Sequence, residues 1–204
     1  IAFNGAVTIG TLATANKGYS VAFNAGGTIT NAATFLNTGR VTFGNENTDS
    51  ITFVAGLDTT GGPAETVVQG TVATASAPLR LGAVKANGTT TLDAGTGSIE
   101  VGAVTLADGA ALTFRTSGAG AVTAAGISGT ANGAKSDVTF DAGGAVSVAG
   151  NVGTDIGTLR VANSGGTTFG GTVDAATVAL DDTTGTIAFN GAVTIGTLAT
   201  ANKG

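Results

Sequence analysis

Histidine, cysteine, methionine and tryptophan are all missing from this 204-residue chain. Their absence removes thiol and imidazole nucleophiles, Ser-His-Asp triads, thiolate or imidazole metal sites and iron-sulfur clusters from the segment. Without cysteine, no disulfide holds the fold. Charge is scarce as well: charged residues make up 10% of the chain, against about a quarter in ordinary globular proteins. The net charge is −5, and the eight basic residues are scattered singly, which argues against nucleic acid or an anionic membrane as partner. No run of about 20 apolar residues is present, so membrane insertion by this segment is not expected. Only two prolines interrupt the chain.

What remains is small and neutral. Glycine, alanine and threonine supply over half of the residues, and apolar residues reach 42%, enough to bury a sizeable core. Short alternating runs recur along the chain, among them Val21-Ala-Phe23, Val41-Thr-Phe43, Ile51-Thr-Phe53, Leu112-Thr-Phe114 and Val138-Thr-Phe140. Each predicts a strand of three to five residues with one buried face. Corners rich in Gly, Asn and Asp separate them, as at 24–27, 141–144 and 163–166, and this is turn chemistry rather than helix chemistry.

The strongest signal is a repetition. Residues 187–204 reproduce residues 1–18 without a change, so the sequence closes on itself after 186 residues. Local structural need does not fix every exposed Ala, Thr and Lys, so the identity points to tandem duplication of a long unit. The expected organisation is one continuous segment, 1–204, made of one repeat (1–186) and the start of the next (187–204), cut from a longer chain. A shorter period lies inside. Similar stretches open at Leu12, Phe35, Leu57, Leu79, Leu106, Ile127, Leu159, Val178 and Leu198, which predicts about eight coils per repeat, with insertions in the two longest steps. The resulting fold class is all-β, a parallel β-helix or β-solenoid. Residues 129–136 are expected to be thrown out of their coil as a loop, and Pro63 to lie outside the strands.

Eight of the nine phenylalanines (all but Phe35) fall at strand ends, which predicts stacking in an internal aromatic column. Asn4, Asn24, Asp141 and Asn190 follow them and are expected to form a ladder at one corner.

Several residues have the chemistry of a site, and each also has a simpler role. Asp93, Asp108, Asp141 and Asp182 precede glycines and have the chemistry of calcium ligands, yet turn capping explains them without an ion. Thr28, Thr30, Thr89 and Thr91 form Thr-x-Thr pairs that do not recur on every coil, as a flat ice-binding array requires, and strand propensity accounts for them. Asn87-Gly-Thr89 is a lone glycosylation sequon. The glycine pairs at Gly26 and Gly118 open no helix and bind no phosphate by the known loop patterns. Glu46, Glu65 and Glu100 are expected on different coils, too dispersed for a glycosidase pair, and Tyr19 is the only tyrosine. No catalytic, cofactor-binding or metal site is expected, and no cofactor.

Stretches such as Val21-Ala-Phe-Asn-Ala-Gly-Gly-Thr-Ile-Thr-Asn31 and Gly102-Ala-Val-Thr-Leu-Ala-Asp-Gly-Ala-Ala-Leu-Thr-Phe114 resemble the β-strand repeats of giant bacterial secreted proteins, the filamentous-haemagglutinin-like adhesins and autotransporter passenger domains. The resemblance covers essentially the whole chain, is one of texture, and transfers no binding-site residue. It implies a right-handed solenoid, an extracellular or cell-surface location, and a part in adhesion or matrix building. The expected function is a non-catalytic structural repeat of an extracellular fibre, sheath or biofilm scaffold; the alternative is the rigid stalk of an adhesin carrying a separate binding tip. The partners expected are further copies of the repeat, end to end or side by side, and the cell surface or its glycans.

Overall fold

Where an apolar residue alternates with a small polar one, the extended backbone sends one to each side, and a glycine or asparagine then lets the chain turn. Repeated three times per circuit, this builds a three-faced prism. The computed structural model describes residues 1–201, which contain twenty-one strands in a single sheet and no helix. All the pairings are parallel and join one winding to the next, giving a β-solenoid of about nine turns.

Three ladders define the faces. The first runs inward-facing through Val21, Val41, Thr66, Val84, Val104, Ile127, Val152, Val173 and Val193. The second runs through Val7, Gly27, Ile51, Val72, Leu92, Phe114, Phe140, Val161 and Leu180. The third runs through Ala33, Leu57, Leu79, Ile99, Val122, Val146, Thr167 and Ile187. Several strands, such as Thr66–Thr74 and Val173–Thr183, bend round a corner and serve two faces.

The core is the column enclosed by the three ladders, and it contains almost every large apolar side chain of the inner windings. One winding alone cannot bury these residues; stacking at about 4.8 Å does so and pairs the backbone along the axis. Hydroxyls that enter the core bond to one another or to backbone. Thr59 and Thr66 share a hydroxyl contact of 2.9 Å, and Thr116 Oγ1 donates to the carbonyl of Gly120 at 2.6 Å.

The solenoid and its strand corners match expectation, but its frame differs. The expected steps Leu57 to Leu79 and Leu159 to Val178 to Leu198 are true neighbours. Leu79, however, pairs with Ile99, and Leu106 stands on another face against Ala86. Ile127 pairs with Val152, while Leu159 pairs with Val138. Each of the two longest steps therefore spans one turn and a third, and the repeat contains eight and two-thirds turns rather than eight. The loop expected in the second of them is real: residues 130–135 are exposed and lie outside the strands. Pro63 also lies outside them.

The aromatic column is likewise divided. Phe3, Phe23 and Phe43 stack on the first face with ring centroids 5.0 and 6.0 Å apart. Phe114 and Phe140 stack on the second at 5.1 Å, and Phe169 and Phe189 on the third at 5.1 Å. Phe35 is fully buried and meets Phe23, Phe43 and Phe53 edge to face. A prism layer needs volume at its centre, and a ring from any of the three walls supplies it.

Candidate functional surfaces

The outward residues of each face line up in columns because successive windings are in register. On the second face, Thr8, Thr28 and Thr52 form one ladder, and Thr71, Thr91, Thr113 and Thr139 form another. The two ladders belong to different columns and share no winding, so the double row of a Thr-x-Thr array is not built among the described residues. Thr30 lies beyond its strand, and Thr90 is buried, its hydroxyl donating to the carbonyl of Val68 at 3.1 Å.

The column beside the longer threonine ladder holds Asp93, Arg115, Asp141, Asn163 and Asp182 in successive windings. Asp93 accepts from the Gly95 amide at 2.9 Å and from Arg115 Nε at 3.0 Å, which is turn capping combined with an ion pair. Asp108 is exposed at a separate corner. Among the described residues, no group of three or more carboxylates is placed to hold a metal ion.

The scattered basic residues are organised in a way that composition did not reveal. Arg40 pairs with Glu65 at 3.1 Å, Arg80 with Glu100 at 3.5 Å, and Lys135 with Asp155 at 3.3 Å; Arg160 Nε donates to Asp181 at 2.7 Å. With Asp93 and Arg115, every one of these pairs joins neighbouring windings. The signal that would have found them is a separation of one winding, 20 to 25 residues, between opposite charges. Glu46 and Glu65 stand at different corners, less than one turn apart along the chain, and Glu65 is engaged by Arg40. Glu100 stands on the third face opposite Arg80.

Of the expected corner ladder only one rung forms: Asn24 Nδ2 donates to Asn4 Oδ1 at 2.7 Å. Asp141 and Asn190 follow phenylalanines on the second and third faces, so they cannot join a ladder on the first. Asn87, in the sequon, leads into Gly88 at φ +52°, beside Asn47.

The two ends differ from the middle. Their windings carry apolar residues that nothing covers from outside: Ile1 is 70% exposed, Val193 42% and Leu198 56%. Inner equivalents such as Val21 are 3% exposed. These end windings have the same sequence but not the same place. Ile1, Ala2 and Phe3 open the first face, whereas Ile187, Ala188 and Phe189 end the third; Val7 belongs to the second, and its copy Val193 to the first. The repeat therefore re-enters the prism one face away from where it began. Residues 202–204 of the second copy lie outside the described residues. No helix of the described residues is long and apolar enough to cross a membrane.

Comparison with protein-family models, with curated proteins and with solved structures gave no match.

Proposed function

We propose that this chain is a structural repeat of an extracellular bacterial fibre or matrix, without catalytic activity, extended by further copies of itself along the solenoid axis. The observation that carries the reading is the exact recurrence of residues 1–18 at 187–204, the two copies being joined by ladders that run unbroken from one to the other. An open sheet edge is adhesive unless something pairs with it. Within the chain the second copy already supplies such pairing, since its opening winding is seated on Thr167–Phe169 and Val173–Thr183. The outer columns, mostly of small side chains with ion pairs between windings, suit a rod whose role is stiffness. The extracellular location rests on the resemblance to secreted bacterial repeats.

Electron microscopy and fibre diffraction of the native material test the reading. The expected result is a filament with a meridional spacing near 4.8 Å, the winding-to-winding distance of strands lying across the axis. Native material with no filament overturns it. A filament ending in a distinct terminal head that binds cells or glycans would instead favour the adhesin stalk.

A further inference from the structure

Four asparagines in the chain precede a glycine: Asn4, Asn87, Asn132 and Asn190. The pairing has a chemistry of its own, because glycine lacks the Cβ that would keep its amide nitrogen away from the asparagine side chain, and asparagine is a thermolabile residue. The fold decides which pair is free to react. Asn87 and Gly88 sit inside the strand Val84–Asp93, and the backbone is fastened on both sides of their bond. The Asn87 carbonyl accepts from Thr90 Oγ1 at 3.0 Å, the Thr89 amide donates to Asn47 Oδ1 at 3.0 Å, and the side chains of Asn47 and Gln69 press against Gly88. Asn190 is held by its amide on the carbonyl of Phe169, and the Asn4 side chain by Asn24.

Asn132 and Gly133 stand apart. They lie in the loop 130–135, exposed throughout, and Asn132 has a φ of +68°. The loop is pinned near both ends. Thr130 Oγ1 donates to the carbonyl of Leu106 at 2.8 Å, the Gly109 amide to the carbonyl of Ala134 at 2.9 Å, and Ser136 Oγ to the carbonyl of Ala107 at 2.9 Å. Between these pins, no hydrogen bond among the described residues involves Asn132 or Gly133. The Asp108 carboxylate occupies the space where a Cβ of Gly133 would stand.

We infer that Asn132 is a site of covalent self-modification, the position at which the folded chain converts asparagine to aspartate and isoaspartate. The Gly133 amide nitrogen, on losing its proton to solvent hydroxide, attacks Cγ of Asn132. The new N–Cγ bond closes a succinimide ring while the Cγ–Nδ2 bond breaks, the departing nitrogen taking up a proton to leave as ammonia. Water then opens the ring at either carbonyl, giving aspartate or isoaspartate. The pins keep the loop on the rod and leave the backbone between them free to reach the closing geometry, a freedom that a paired strand denies. The product makes the net charge of −5 one unit more negative and sets its carboxylate near Asp108, which repels it. Isoaspartate also lengthens the main chain by one carbon, and both changes loosen the loop from the corner at 107–110.

Peptide mapping tests this. Cleavage after lysine and arginine gives 116–135, in which Asn132 is the only asparagine, and 86–115, in which Asn87 is. The full chain is held at mildly alkaline pH, then unfolded and digested in mild acid, where the reaction slows, and the mass gain of amide-to-acid conversion is followed in both peptides. Conversion in the folded chain should be at least about fivefold faster in 116–135 than in 86–115, and the two rates should become nearly equal in a chain unfolded by urea. Asn132→Gln should abolish the gain in 116–135, and Asn132→Asp should mark the aspartate product, leaving isoaspartate as the second peak. Equal rates in the folded chain, faster conversion at Asn87, no conversion at Asn132, or a preference that persists in urea would each overturn the inference.

Discussion

Each buried phenylalanine fills most of a prism layer, so its loss leaves a void that the rigid walls cannot close. Phe140, fully buried between Phe114 and Phe169, is the most sensitive case. Replacing it with alanine should cost about 3–5 kcal/mol in denaturant unfolding. Gly27 is constrained for another reason. Its φ of +133° is one that residues with side chains rarely adopt, and an added Cβ would collide with the carbonyl oxygen of Val7 in the preceding winding. Gly27→Ala should destabilise by about 1–3 kcal/mol from backbone strain alone, read as a lowered melting temperature. Residue roles of this kind were legible in part. The burial of Phe23, Phe43 and Phe114 follows from alternation; Phe35 is legible as the opening of a coil and lies in the alternation Ala33-Thr34-Phe35, but its packing depends on rings from two other faces.

Strands were readable because a period of two persists even in runs of three residues, and the corners because glycine and asparagine mark them. What the sequence conceals is the face each strand joins. Neighbouring windings match residue to residue at a spacing near twenty whichever face they occupy, so Leu79 looks as suitable a neighbour for Leu106 as for Ile99. Pairing decides between them only once the lengths of all three sides are known. The ion pairs between windings were hidden for the same reason. Their energetic weight is small: the Arg160 side chain is 46% exposed, and solvent screening limits such a contact. Arg160→Ala should shift unfolding stability by no more than about 1 kcal/mol. Both carboxylate oxygens of Asp93 are engaged, one by the Gly95 amide and one by Arg115, so calorimetric titration with calcium should show no binding at that column.

At the scale of the molecule, cohesion is a sum over neighbouring layers, with no long-range closure to protect the ends. Hydrogen exchange should therefore be graded along the axis. Amides of Val193–Thr200, in the outermost winding, should exchange far faster than those of Ala111–Arg115 and Ser136–Asp141 in the middle. Joining further units should slow the former toward the latter. A chain whose end winding exchanged as slowly as its centre without any neighbour would contradict this layer-by-layer picture.

The re-entry of the repeat on a different wall also bears on how such a gene is free to change. Recombination between identical stretches adds or removes whole units, and in most folds the new seam would have to restore an integral number of turns. Here each layer recognises only the layer before it and is indifferent to which wall it meets. If the chain carries further copies, as proposed, their number can change by whole units, altering the length of the solenoid while leaving every seam folded.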